Sequence, residues 1–210
     1  MSYLLGLTGG IATGKSHLSG VLREAGAWIV DADGISRALT APGGEALPLI
    51  RKGFGDSVFR DDGTLDRKAL GALVFGDAGR LQKLNDIMHP LIFGRMHTLI
   101  AEADEAGAPV TVLDVPLLYE TRLDRICREV WCAWIPRDIQ LKRLMARDGL
   151  TRAQAEARIR SQMSAWEKRK RADRYIDTRG SLEESAATVL GMYRELTERL
   201  AKERADAQNG

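Results

Sequence analysis

Cysteine is scarce in this chain, aromatic residues are few, and neither sign of charge dominates. Two cysteines in 210 residues, Cys127 and Cys132, are too few for a disulfide framework and lack CxxC metal spacing. That excludes a stapled secreted scaffold and fits a reducing, cytoplasmic setting. No run of 18 consecutive apolar residues occurs, so no membrane span is predicted. The amino-terminal run Tyr3 to Leu7 is short, is broken by Gly6 and has no basic region before it, which is unlike a signal peptide. Lysine plus arginine number 31 against 29 aspartate plus glutamate, a net charge of +2 that gives no global reason to expect a nucleic-acid partner. No internal repeat or low-complexity segment is present. What remains is 44% hydrophobic and 29% charged with 21 glycines, a composition that excludes a disordered tail, a coiled coil or a collagen-like repeat. Folding a chain of this size hides about 70% of its extended surface, enough core to stand without staples.

The apolar segments alternate with helical patterns. Tyr3 to Leu7 reads as a buried strand entering a glycine turn, and Leu18, Val21, Leu22 and Ala25 then recur at helical spacing until Gly26. Further strands are predicted at Trp28 to Val30, Val110 to Val115, Val130 to Ile135 and Tyr175 to Asp177. Helices are predicted at Asp138 to Arg147, Arg152 to Ala165 and Leu182 to Ala205. This order predicts an α/β fold with a parallel five-stranded sheet covered on both faces. Residues 34–109 are longer than a crossover needs and read as a helical insertion, with helices at Arg67 to Phe75 behind a cap at Asp66, and at Leu91 to Ala106 behind Pro90. The expected core is therefore 1–33 plus 110–210. Asp206 to Gly210 are polar and read as a frayed end.

Gly9 to Ser16 reads GGIATGKS, which satisfies GxxxxGK[ST] between an apolar strand and a helix. The spacing has a physical reason. Glycines let successive backbone N–H groups point inward at phosphate oxygens, and the helix start adds partial positive charge. Gly10, Ile11, Ala12, Thr13, Gly14, Lys15, Ser16 and His17 are the candidate nucleotide contacts. Lys15 can reach the β and γ phosphates, and the Ser16 hydroxyl can bind magnesium. This is the fold of P-loop nucleoside triphosphate hydrolases.

The fate of the γ phosphate needs other residues. Neither NKxD nor TKxD occurs, which disfavours a GTPase. Asp31 and Asp33 stand where ligands gather in an open parallel sheet and share a face if the strand persists that far. Asp33 can accept the proton of an attacking hydroxyl, or either aspartate can cap the following helix. Asp114 closes the third strand, as an acidic magnesium partner does, or serves as a strand-end turn residue. Positive charge gathers late in the chain, with 12 basic against 5 acidic residues from Arg137 to Arg174. Within that segment Arg143 and Arg147 share a helical face, as a phosphate clamp or as a solvated surface, and Gly149 permits a hinge.

These residues together resemble the dephospho-coenzyme A kinase family. The resemblance rests on GLTGGIATGKS, VDAD at 30–33, GTLDRKALGALVF at 63–75, HPLI at 89–92, LDVPLLYE at 113–120, RLMARDGL at 143–150 and KRKRADRYID at 168–177. It implies ATP-dependent phosphorylation of the ribose 3′-hydroxyl of dephospho-coenzyme A with Mg2+; from charge and hydropathy no nucleic-acid or membrane partner is expected, and the sequence leaves the oligomeric state open with a monomer slightly favoured. The resemblance further implies that Asp33 is the base and that Lys15, Arg143 and Arg147 are catalytic. Metal binding falls to Ser16 and Asp114, acceptor contacts to Thr8, Asp33, His89 and Leu117, and a mobile lid to about 138–165. Residues 34–109 would hold the coenzyme A side. His89 can equally cap a helix opened by Pro90. His17, where the family usually has a hydroxyl residue, and His97 read as surface or packing residues. Ala12 and Thr13 stand where the family commonly has glycine and serine, and Thr178 and Arg179 where it usually has asparagine and a small residue. Another small-molecule kinase, such as a shikimate or nucleoside monophosphate kinase, or a nucleotide-sensing regulator, is the alternative; the LDVPLLYE and HPLI strings disfavour the first, and Asp33 with the arginine pair disfavours the second.

Overall fold

The computed structural model describes residues 1–74 and 76–209. Five strands, β1 (Tyr3–Gly9), β2 (Trp28–Asp31), β3 (Val110–Asp114), β4 (Glu129–Trp134) and β5 (Arg174–Asp177), form one sheet in the order β2-β3-β1-β4-β5. The pairings β1–β3, β1–β4 and β4–β5 are parallel. The chain runs to one side of β1 for β2 and β3 and to the other for β4 and β5. The carboxyl end of β1 is thus where ligands enter such sheets.

Helix α1 (Lys15–Glu24) and the long carboxy-terminal α9 (Leu182–Asn209) cover one face. Leu18 and Leu22 of α1, Val189 and Leu196 of α9, and Leu5, Leu7, Trp131 and Ile176 of the strands make one core. Each fully buried leucine there contributes about 2 kcal/mol of transfer free energy. Gly6 interrupts the apolar run of β1 for a steric reason: a Cβ would lie 2.8 Å from Leu118 and 3.0 Å from Cys127. Among the described residues, no helix is long and apolar enough to cross a membrane.

The basic segment makes three helices, α6 (Arg137–Asp148), α7 (Arg152–Arg160) and α8 (Ala165–Arg171). The single helix expected from Arg152 to Ala165 is therefore broken. Ser164 accepts from the Glu167 N–H at 3.1 Å and so starts a new helix, while Thr151 and Gln154 form a full capping box on α7. Ser181 and Glu184 cap α9 reciprocally.

By contact the chain divides into two units, Met1–Val30 with Ala103–Gly210, and Asp31–Glu102. The second holds α2 (Ala32–Leu39), α3 (Ala46–Phe54), α4 (Arg67–Val74) and most of α5 (Ala78–Glu105). Ile35, Leu39, Ile50, Leu70, Met88 and Met96 are buried there. The Asp66 cap forms, accepting from Lys68 and Ala69. The Phe75 end predicted for that helix lies outside the described residues. One expectation fails: Pro90 does not open a helix but lies inside α5, so His89 is not a cap. An interior proline costs about 3 kcal/mol. Packing of Met88 and Met96, eight residues apart on one stripe, outweighs that local preference.

Candidate active site

The glycine turn places positive φ at alternate residues, Ala12 at 60° and Gly14 at 84°, with Ile11 and Thr13 between and before them at negative φ. That alternation curls the backbone so that successive N–H groups converge, the form of an anion-binding nest. Glycine at 14 adopts this φ without strain. At Gly10 the reason is close approach, since a Cβ would lie 2.6 Å from the Gln140 amide and 3.2 Å from Ala165. The loop tolerates Ala12 in the left-handed region at a strain of order 1 kcal/mol.

Register brings the acidic partner alongside. Leu7 of β1 pairs with Asp114 of β3, and the Val115 N–H donates to Leu7 at 3.0 Å. Asp114 is 4% exposed and ion-paired to the Nζ of Lys15, itself 9% exposed. Ser16 is exposed at the start of α1, and His17 Nε2 lies 3.0 Å from the Leu182 carbonyl oxygen. Thr8 is fully buried, its hydroxyl donating to the Pro116 carbonyl at 3.1 Å. Leu117, in the turn after β3, is 38% exposed.

Lys168 of α8 reaches the same turn. Lys168 has no exposed surface, donates to the Pro116 carbonyl and forms an ion pair with Glu120 at 2.9 Å. Burial pulls its ammonium below the ordinary lysine range, and the Glu120 carboxylate opposes that. Glu120 also accepts from the Met163 N–H at 2.9 Å. Thus LDVPLLYE and KRKRAD, far apart in sequence, meet around one carbonyl.

Arg143 and Arg147 of α6 are not equivalent. Arg143 donates to the carbonyls of Thr178 at 2.8 Å and Arg179 at 3.4 Å. Arg147 is bidentate on Asp148, which also pairs with Arg158 at 2.8 Å. Two residues that motif spacing could not single out complete the loop's surroundings: Gln140, 2% exposed, donates to the Ile11 carbonyl at 2.9 Å, and the Thr178 hydroxyl donates to the Thr13 carbonyl at 2.6 Å.

Asp33 and His89 belong to the second unit. Strand β2 ends at Asp31, so Asp31 and Asp33 do not share a strand face. Asp31 instead caps α2, accepting from the Asp33 N–H at 3.0 Å, and pairs with Arg37 at 3.3 Å. Asp33 is exposed in the first turn of α2. His89 is half-buried in α5, its ring 5.5 Å from that of Phe93. His97 is exposed.

A parallel sheet with a GxxxxGKS loop at its carboxyl edge, a buried lysine–aspartate pair and an arginine-bearing helical segment define a P-loop kinase. Comparison with known proteins gives the particular kind. A family model described as dephospho-CoA kinase matches residues 3–184, and the chain belongs to that family. It is 48% identical over 191 residues to the dephospho-CoA kinase of Symbiobacterium thermophilum, covering 91% of this chain and 80% of that one. A second relative of that name, from Anaeromyxobacter dehalogenans, is 47% identical over 180 residues, 86% of this chain and 85% of its own length. Among solved structures, a Thermus thermophilus protein superposes with a TM-score of 0.77 at 33% identity, covering 93% of this chain and 98% of that one. Dephospho-CoA kinase from Campylobacter jejuni gives 0.65 at 25% identity over 94% and 98%.

Proposed function

We propose that this chain transfers the γ-phosphoryl group of ATP in line to the ribose 3′-hydroxyl of dephospho-coenzyme A, with Asp33 as the base. As a member of its family it is an ATP-dependent dephospho-CoA kinase, a transferase acting on an alcohol group in coenzyme A synthesis. The observation that carries the mechanism is the phosphate nest with the buried Lys15–Asp114 pair beside it.

The N–H groups of the loop and the start of α1 bind the phosphates. Lys15 exchanges Asp114 for the β and γ oxygens, neutralising charge as the bond to the leaving group lengthens. The hard oxygen donors of Ser16 and Asp114 suit Mg2+, which keeps most of its water and takes few protein ligands. Among the described residues no group of three or more His, Cys, Asp or Glu side chains is built as a metal cage, in keeping with an ion held chiefly through the nucleotide. When bound, Mg2+ neutralises β and γ oxygens. Arg143 and Arg147 close over the phosphates with the lid of about 138–165, excluding water. Residues 34–109, with Thr8, His89 and Leu117, position the acceptor, and Asp33 takes the hydroxyl proton. We further place the protein in the cytoplasm as a monomer, with no nucleic-acid or membrane partner.

The test is Mg2+-dependent ADP release with and without dephospho-coenzyme A, with the product identified by mass and its phosphate position by NMR. The expected result is strong acceptor dependence with coenzyme A as product. ADP release that ignores the acceptor would contradict the proposal.

A further inference from the structure

Three carbonyls of the phosphate loop are tied, one by the loop's own Thr13 and two from outside it. The Gly10 carbonyl accepts from the Thr13 N–H at 3.2 Å and from the Thr13 hydroxyl at 2.8 Å. That of Ile11 accepts from Gln140 and that of Thr13 from Thr178, as given above. A trans peptide is planar, so the C=O of one residue and the N–H of the next point in opposite directions. Tying the carbonyls of Gly10, Ile11 and Thr13 outward therefore aims the N–H groups of Ile11, Ala12 and Gly14 inward. Among the described residues those three N–H groups donate to no protein acceptor.

Only the first tie lies within the GxxxxGKS motif. The other two come from outside it. Gln140 stands on α6 one turn before Arg143, and Thr178 directly follows β5, its own N–H donating to the Trp134 carbonyl at 3.0 Å. Arg143 in turn donates to the Thr178 carbonyl. Thr178 also packs against the loop, with its side-chain atoms 3.6–3.7 Å from where a Cβ on Gly14 would stand. Both donors are buried, at 2% and 5% exposure, so water does not readily replace either one.

We propose that Gln140 and Thr178 are positioning residues for phosphate binding: each fixes one peptide plane of the nest and so pre-aims one inward N–H. Neither touches the phosphates. They act by sparing the loop the reorganisation that binding would otherwise require. Threonine at 178 is thus a working replacement for asparagine at a strand end, because its hydroxyl reaches the Thr13 carbonyl directly.

The inference rests on reading this loop as the phosphate cradle, so its test uses a probe that needs no acceptor. Inorganic tripolyphosphate is titrated calorimetrically into the parent, Thr178→Val, Thr178→Ser and Gln140→Met proteins, with melting temperature recorded for each. Thr178→Val and Gln140→Met, which keep shape but lose the donor, should each weaken tripolyphosphate about tenfold. Thr178→Ser keeps the hydroxyl and should recover affinity to within about threefold of the parent. In turnover, the KM for ATP should rise in the first two while that for dephospho-coenzyme A holds. Parent-like tripolyphosphate binding by folded Thr178→Val and Gln140→Met would overturn the proposal, as would a Thr178→Ser protein as impaired as Thr178→Val. A parent that binds tripolyphosphate but makes no coenzyme A would overturn the assigned reaction and leave the brace standing; a parent that does not bind it would overturn both.

Discussion

The phosphate loop and the first turn of α2 both follow the carboxyl end of a strand, yet they are made of different material. In the loop the groups proposed to meet the phosphates are backbone N–H, set by alternating φ and by hydrogen-bonded carbonyls. At α2 the proposed acid–base chemistry rests on one exposed carboxylate, Asp33, in a turn capped by Asp31. A site made of backbone is changed by whatever moves a peptide plane, whereas a site made of one side chain is lost with that side chain. Binding and catalysis should therefore separate under mutation.

Lys15→Met gives the largest effect expected within the loop. It removes the charge proposed to follow the transferring phosphoryl, and kcat should fall about a thousandfold, measured by coupled ADP release. A parent-like kcat would move that role elsewhere. Lys168→Met tests the support behind the loop rather than the loop itself. It leaves the solvent-exposed Glu120 carboxylate and the Pro116 carbonyl without their buried donor, which should cost about 2 kcal/mol and lower the melting temperature by roughly 4–8 °C. Adding Glu120→Gln should recover part of that loss, because the uncompensated carboxylate is gone. Smaller still, Ala12→Gly relieves the left-handed strain but loosens the unfolded chain, so the two terms nearly cancel. The melting temperature should shift by about 2 °C or less, and a fall of several degrees would show that the Ala12 methyl packs usefully.

Burial keeps the thiols out of the chemistry. Cys127 and Cys132 are both pushed up to about 12, so at pH 8 they stay protonated and should react with a thiol reagent only after unfolding. Rapid labelling of the native protein would contradict this.

The parallel sheet and the phosphate loop were legible in the sequence because their signals are local. An apolar run, glycines at fixed spacing and the start of an amphipathic helix all lie within twenty residues. The cap at Asp66 was legible for the same reason. The helix through Pro90 was not, since burial of Met88 and Met96 on one stripe overrode the local preference of proline. The break before α8 had a signal, Ser164 followed three residues later by Glu167, that the apolar spacing around it masked. Nothing in the spacing pointed to Gln140 or Lys168. Their partners lie far away in sequence, at Ile11 and at Pro116 with Glu120, and only the folded chain brings them together. Thr178 stood out as a departure from the family pattern, and its hydrogen bond to Thr13 supplies the reason the departure is tolerated.

The central claim is that the loop binds ATP and Asp33 does the acid–base work, and Asp33→Asn tests it most directly. With ATP affinity measured by calorimetry and turnover by coenzyme A formation, kcat should fall by about 10² to 10⁴ while the affinity for ATP stays within about twofold of the parent, the backbone nest being untouched. A folded Asp33→Asn protein that turns over like the parent, or one that loses ATP binding and turnover together, would contradict the account.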